Sequence, residues 1–256
     1  MTVSPLFPAP PPWPSDVDRV TLPSVDSTMA EVRRRAPVAG VDTWVHALDQ
    51  SAGTGRRGRA WAQPPGNFSA SLLLRPEEPP SRLALRSFVA SLALRDALVA
   101  VTGEEDWFQM KWPNDVLMHG GKVAGILLET LAEPSGPALI VGIGVNLAAA
   151  PPVAELEPGA IRPRSLAGSG IKVAPGDFLD YLAPAFYRWD RLLRDQGFDP
   201  LRRAWLDRAA RIGQPVVARL PNEEIAGVFR TVDATGALVL DTDAGPRTIA
   251  AGDVFF

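Results

Sequence analysis

The 256-residue sequence contains no cysteine. That excludes disulfides, thiolate nucleophiles, thioester intermediates and thiolate metal sites in one step, while saying nothing about compartment. Histidine is almost as scarce. His46 and His119 are the two in the chain, and neither sits in a metal-ligand spacing or beside a triad pattern, so no tightly bound structural metal and no Ser-His-Asp centre is expected. No run approaches the roughly 18 consecutive apolar residues of a membrane span. The opening "MTVSPLFPAPPPWPSD" lacks the basic start and apolar core of a signal peptide, which makes the cytoplasm the expected compartment. A basic excess is lacking too. The net charge is −3 and the pI near 5.5, which argues against a surface that coats nucleic acid but leaves room for a local basic site.

What is present is enough apolar residue, 46% of the chain, for one large domain or a large one with a small one. Residues 1–17 form a proline-rich arm, expected to be extended and polyproline II in places. "VDRVTLPSV" reads as a strand and "DSTMAEVRRRA" as a helix. Thr28 and Glu31 have capping-box spacing there, with Ser27 as the alternative cap. "TWVHALDQ" and "NFSASLLLRP" read as strands, and residues 81–101 as one long amphipathic helix. Four strand-like runs follow, "WFQMKW", "DVLM", "KVAGILLETL" and "PALIVGIGVNL", the middle two joined by a tight turn at Gly120–Gly121. These imply an α+β domain over residues 18–210, with a mixed, largely antiparallel sheet and packed helices rather than a regular βαβ alternation. After a proline- and glycine-punctuated loop, helices are expected at 175–196 and 200–210. From residue 211 to 256, short β runs separated by turns suggest a small SH3-like barrel.

Four stretches carry chemistry. The first is "QSAGTGRRGRAW", Gln50 to Trp61. It is no P-loop, since no Gly-Lys-Ser/Thr follows, and its G-x-G-x-x-G lies between strands rather than before a helix. A solvated surface loop, a nucleic-acid contact and a phosphate-gripping loop all remain open, the last because arginine forks suit phosphate and carboxylate oxygens. With almost nothing to bury, the loop should be mobile. The second is "KWPNDVLMHGGKVAGILLE". The turn at Gly120–Gly121 folds Lys122 back toward Asn114 and Asp115, so two lysines, an amide and a carboxylate converge, as in an anion site; ordinary turn chemistry is the alternative. In the third, "VGIGVNL", Gly142 and Gly144 mark one flattened face that Asn146 continues. It makes room for a bulky group or for close helix packing. The fourth, "DSTM", places hydroxyls and free amides at a helix start, either as a plain cap or as a seat for a carboxylate or ureido group.

In this order, and with the small β-domain ending in "AAGDV", the four stretches resemble the biotin–protein ligases from about residue 18 to the end. The resemblance implies the biotin/lipoate ligase fold, similar to class II aminoacyl-tRNA synthetases. It also implies ATP-dependent formation of biotinyl-5′-AMP, magnesium accompanying the ATP, and transfer of biotin to one lysine of a biotin carrier of acetyl-CoA carboxylase. Carried over, Ser27, Thr28 and Gln50 would bind the biotin rings, with Thr54, Gly55 and Arg56 closing over biotin and phosphate. Arg59, Trp61 and Asn146 would serve the nucleotide. Lys122 would contact the carboxylate and α-phosphate, with Lys122, Arg56 and Asp115 as the catalytic set. Asn114 and Asp115 would face the phosphates and magnesium, or assist the incoming lysine. Thr54 stands where many members carry arginine, and Met29 where asparagine is usual. No DNA-reading winged helix precedes the catalytic part and no basic tail follows Phe256, so a dedicated ligase without DNA binding is expected, while monomer and homodimer stay open. The competing readings are a lipoate- or octanoate-transferring relative, and a non-catalytic nucleic-acid module using the basic loop.

Overall fold

The protein's computed structural model describes residues 7–133, 136–152 and 161–256. The first six residues of the proline-rich arm and residues 153–160 of the punctuated loop lie outside that set. Residues 7–16 of the arm have no helix or strand, and the first strand begins at Val17. The arm is held by Trp13 Nε1 donating to the Val17 carbonyl at 2.8 Å and by the Tyr181 hydroxyl donating to the Pro8 carbonyl at 2.6 Å.

A seven-stranded sheet forms the centre. In chain order its strands are β1 (Val17–Leu22), β2 (Asp42–Ala47), β3 (Phe68–Leu74), β4 (Phe108–Lys111), β5 (Asp115–Met118), β6 (Gly121–Glu133) and β7 (Gly136–Val145). Their spatial order is β1-β2-β3-β7-β6-β5-β4. β1 and β2 run parallel, and the other pairs are antiparallel. β4 to β7 are therefore the expected meander.

Strand alternation divides the sheet's two faces. On β3, Phe68, Ala70, Leu72 and Leu74 enter the large core with Trp44. Leu73 points the other way, into a smaller cluster with Val45, Met29 and Val32. Helix α1 (Thr28–Arg35) covers that second face. The large core is closed by the short α2 (Pro80–Leu83), α3 (Arg86–Thr102), α4 (Pro175–Gln196) and α5 (Phe198–Leu206).

Three expectations need correction. The cap of α1 is Ser27, whose hydroxyl accepts from the Ala30 amide at 3.5 Å. Thr28 is the first helical residue, and its hydroxyl is committed to Gln50 and Ser71. Glu31 turns to Arg34 and Arg35 rather than back to the helix start. Next, the helix expected over 81–101 is two helices, because the chain at Ala84–Leu85 tightens to i→i−3 bonds. Leu83 and Leu85, on either side of that turn, are both buried. Finally, α5 stops at Leu206. Arg208 and Ala210 leave the helix to bond with Met110 of β4, at 2.9 and 2.8 Å.

The C-terminal unit is a five-stranded antiparallel sheet of SH3-like kind. It comprises β8 (Pro215–Arg219), β9 (Glu224–Val232), β10 (Leu238–Thr242), β11 (Gly245–Ile249) and β12 (Asp253–Phe255), in the order β11-β10-β9-β8-β12. Its inward side chains, Phe229 and Leu238 among them, join the same apolar core as the large sheet. Among the described residues no helix is long and apolar enough to cross a membrane.

Candidate active site

A cavity of about 480 Å³ opens on the α1 side of the sheet, in the size range of small-molecule sites. The sheet makes its floor. Around it stand the start of α1, the arginine loop, the β5–β6 hairpin, the segment 161–163 and β12. Every site residue singled out from the sequence lines this one space.

One end is polar and nearly neutral. The Thr28 amide donates to Gln50 Oε1 at 2.8 Å, and the Thr28 hydroxyl donates to the same oxygen at 3.1 Å. The Thr28 hydroxyl in turn accepts from the Ser71 hydroxyl at 2.8 Å. Ser27 and Thr28 are both buried. A helix start thus brings buried amides, hydroxyls and a side-chain amide together, donors and acceptors at once, which suits a compact polar ring system.

The floor follows from glycine. Gly144 of β7 lies opposite Gly125 of β6. A Cβ on Gly144 would stand 2.4 Å from the Trp61 indole, and one on Gly142 would stand 2.7 Å from Met29 Sδ. The flattened face therefore carries two side chains in series, Met29 toward the polar end and Trp61 toward the charged end. Asn146, just past β7 and buried, lines the cavity and accepts from the Asn67 side-chain amide at 3.4 Å.

The other end is charged, and strand register explains why. Lys111 lies directly opposite Asp115, and Lys122 opposite Leu117, two residues along from Asp115. Opposed residues and residues two apart share a face, so all three charges meet. Lys122 Nζ is 2.7 Å from Asp115 Oδ1, and Lys111 Nζ is 3.7 Å from Oδ2. Burial pushes the Asp115 carboxyl up, but Lys122 and Lys111 outweigh it and leave it below the usual range. Burial also holds the Lys111 ammonium below its usual value, against the opposing pull of Asp115. Asn114 accepts from Arg56 Nη1 at 3.4 Å and donates through Nδ2 to the Ile126 carbonyl. Lys122 Nζ sits 5.7 Å from the Trp61 ring centre, within reach of a cation–π attraction.

The arginine loop is a small hairpin. The Gly55 amide bonds Arg59 O at 2.7 Å and the Trp61 amide bonds Gly53 O at 2.8 Å, around a 3-10 turn at Arg56–Gly58. Arg56, Arg57 and Gly58 bury little, and the loop's side chains engage ion pairs. All three of its guanidiniums reach Asp253 of β12, at 2.8 Å from Arg56 and 3.0 Å from Arg57 and Arg59. Asp253 is the functional candidate that sequence reasoning missed. Its motif was visible at the chain's end, but no local signal ties it to a loop about 200 residues away. His46 and His119 do not line the cavity. Among the described residues no group of three or more acidic or histidine side chains is placed to hold a metal ion.

Residues 22–146 match the Biotin/lipoate A/B protein ligase family, and residues 212–256 match the biotin protein ligase C terminal domain. The chain is 51% identical over 237 residues to the biotin–[acetyl-CoA-carboxylase] ligase of Paracoccus denitrificans, covering 92% of this chain and 99% of that protein. It is 31% identical over 240 residues to the ligase of the same name from Mycobacterium tuberculosis, covering 89% of this chain and 85% of that one. Among solved structures, the biotin protein ligase from Aquifex aeolicus in complex with biotin and ATP matches with a TM-score of 0.79 at 26% identity, over 93% of this chain and 97% of that one.

Proposed function

The chain belongs to the biotin/lipoate A/B protein ligase family, and from that premise we propose how its cavity performs the reaction of a biotin protein ligase. The protein is an ATP-dependent ligase that joins biotin to acetyl-CoA carboxylase. In the first step an oxygen of the biotin carboxylate bonds to the α-phosphorus of ATP, and pyrophosphate leaves. In the second, the amine of the carrier's lysine attacks the acyl carbon of biotinyl-5′-AMP. The acyl C–O bond breaks, AMP leaves and the amide loses a proton.

The observation that carries this assignment is one cavity with a buried polar end, an apolar glycine floor and a cationic end. In our reading the biotin rings lie against Ser27, Thr28 and Gln50, with Thr54 and Gly55 beside them. The nucleotide base lies along Trp61 and Asn146. The reacting carboxylate and α-phosphate then fall between Lys122 and Arg56, with Arg59 alongside the phosphates. Lys122 and Arg56 stabilise the charge that builds on the phosphoryl oxygens and the leaving group. Asp115 holds the Lys122 ammonium at the cavity wall and Asn114 does the same for Arg56, so neither cation has to be ordered during the reaction.

Magnesium fits as an ion carried by the triphosphate. Asp115 is a carboxylate facing two lysines, and magnesium is commonly held by one or two carboxylates plus substrate phosphates. It would supply charge neutralisation on those phosphates. The first experiment incubates the purified protein with biotin, ATP and magnesium without acceptor, and analyses what it retains by mass spectrometry. Retained biotinyl-5′-AMP is expected. A lipoyl adenylate in its place would overturn the choice of acid, and no adenylate from either acid would overturn the assigned chemistry.

A further inference from the structure

We propose that Arg57 and Asp253 form a latch through which the C-terminal domain holds the arginine loop over the cavity. Asp253 then acts as the positioning residue for Arg56 and Arg59. The inference rests on the reaction proposed above for what the loop covers, but not for the latch itself.

Three guanidiniums on adjacent turns of one loop repel each other unless an anion collects them. Asp253 is that anion. Its Oδ1 takes Arg56, and its Oδ2 takes Arg57 and Arg59. The carboxylate is mostly buried, at 13% exposure, which strengthens each contact relative to a surface pair. Arg56 gains a second hold on the same strand, donating from Nη2 to the Gly252 carbonyl at 2.9 Å. The nearest comparable carboxylate in the cavity, Asp115, is already engaged by Lys122 and Lys111.

The three arginines are not equivalent. Arg56 and Arg59 line the cavity and Arg57 does not. Arg57 also has a left-handed backbone, φ 56° and ψ 28°, which is unfavourable for a residue with a side chain. A residue that bears this conformation, makes its ion pair on β12 and stays off the cavity wall is a tether. Antiparallel pairing of Asp253 with Arg219 of β8 fixes the strand that holds it. Arg56 and Arg59, which line the cavity, are thereby ordered in advance of the phosphates they would meet.

The test uses the full-length protein and the variants Asp253→Asn, Arg57→Gln, their double, and Asp253→Glu. One readout is limited trypsin digestion without substrates, scored for cleavage after Arg56 or Arg59. The other is the dissociation rate of adenylate formed beforehand on the enzyme. The expected result is that Asp253→Asn and Arg57→Gln each accelerate both processes on the order of tenfold. The double variant should be no faster than either single one, as for two halves of one contact. Asp253→Glu keeps the carboxylate and should stay within about threefold of the parent, at the low end of the coupling range of partners in contact. Unchanged cleavage and dissociation in both single variants would overturn the latch, as would effects that multiply in the double. If Asp253→Asn melts early, Arg57→Gln decides, because its side chain lies on an exposed loop. An enzyme that formed no adenylate would sink the proposed reaction, while the trypsin readout would still judge the latch.

Discussion

His46 shows what a single buried ring does to the molecule's acid tolerance. It lies on β2 with no exposure, stacked 5.5 Å from Phe68, and neither ring nitrogen has a hydrogen-bond partner among the described residues. Burial, with the charge of Arg19 adding to it, pushes its pKa down to about 4. The unfolded chain takes up a proton near pH 6.5 and the folded one only near 4, so stability is complete above the first value and is lost as pH falls toward the second. The loss amounts to about 3 kcal/mol. His46→Phe keeps the stacking and removes the proton site. Its melting temperature should fall less than the parent's between pH 7 and pH 4.5, and equal falls would disprove the assignment. Arg56→Gly acts at the other side of the sheet. It should form biotinyl-5′-AMP but release it, biotinylating bystander lysines; release no faster than the parent would remove Arg56 from the lid. At this scale the sequence was informative where chemistry is local, as in Ser27-Thr28 or Lys122 folding back on Asp115. It was mute on Asp253, because a contact between residues 197 positions apart is set by how two domains dock and leaves no spacing to read.

At the scale of elements, β7 does two jobs with one face. Gly142 and Gly144 are two apart and so share that face, one beneath Met29 and the other beneath Trp61. Adding a side chain to each should therefore damage different substrates. Gly142→Val displaces Met29 and should weaken biotin binding, with the KM for ATP within about twofold of the parent. Gly144→Val displaces Trp61 and should raise the KM for ATP on the order of tenfold, roughly what one stacked ring is worth. Valine suits a strand, so β7 itself should persist. If both variants raised the same KM, the division of the floor would be wrong. The glycine face was legible from spacing alone, though what occupies it was not, since Met29 and Trp61 arrive from α1 and from the arginine loop. Strand alternation likewise gave the meander. The break between α2 and α3 escaped periodicity because a few i→i−3 bonds at Ala84–Leu85 interrupt the helix without a glycine or proline to mark the place.

For the whole molecule, the two units are one core. The turn-punctuated texture after residue 211 announced a small β domain. Nothing local announced that Phe229 would lie 6.5 Å from Trp205, which itself stands 5.3 Å from Phe88 of α3. The Trp112 indole donates to the Gly236 carbonyl at 3.0 Å, and the β4 backbone bonds the segment that leaves α5. Such contacts give the C-terminal sheet little independence, and they fix the place from which Asp253 reaches the arginine loop. Phe229→Ala should therefore weaken the entire fold. Removing a buried phenylalanine costs about 3–5 kcal/mol, which for a chain of this size lowers the melting temperature by about 10 °C. The transition should remain single, with far-ultraviolet circular dichroism and tryptophan fluorescence coincident. Adenylate retention should fall in step with stability, because the strand that anchors the loop unfolds with the core. An early transition confined to the C-terminal sheet, leaving α3, α4 and the central sheet intact to a higher temperature, would show that the domains unfold separately and that the latch joins two independent bodies.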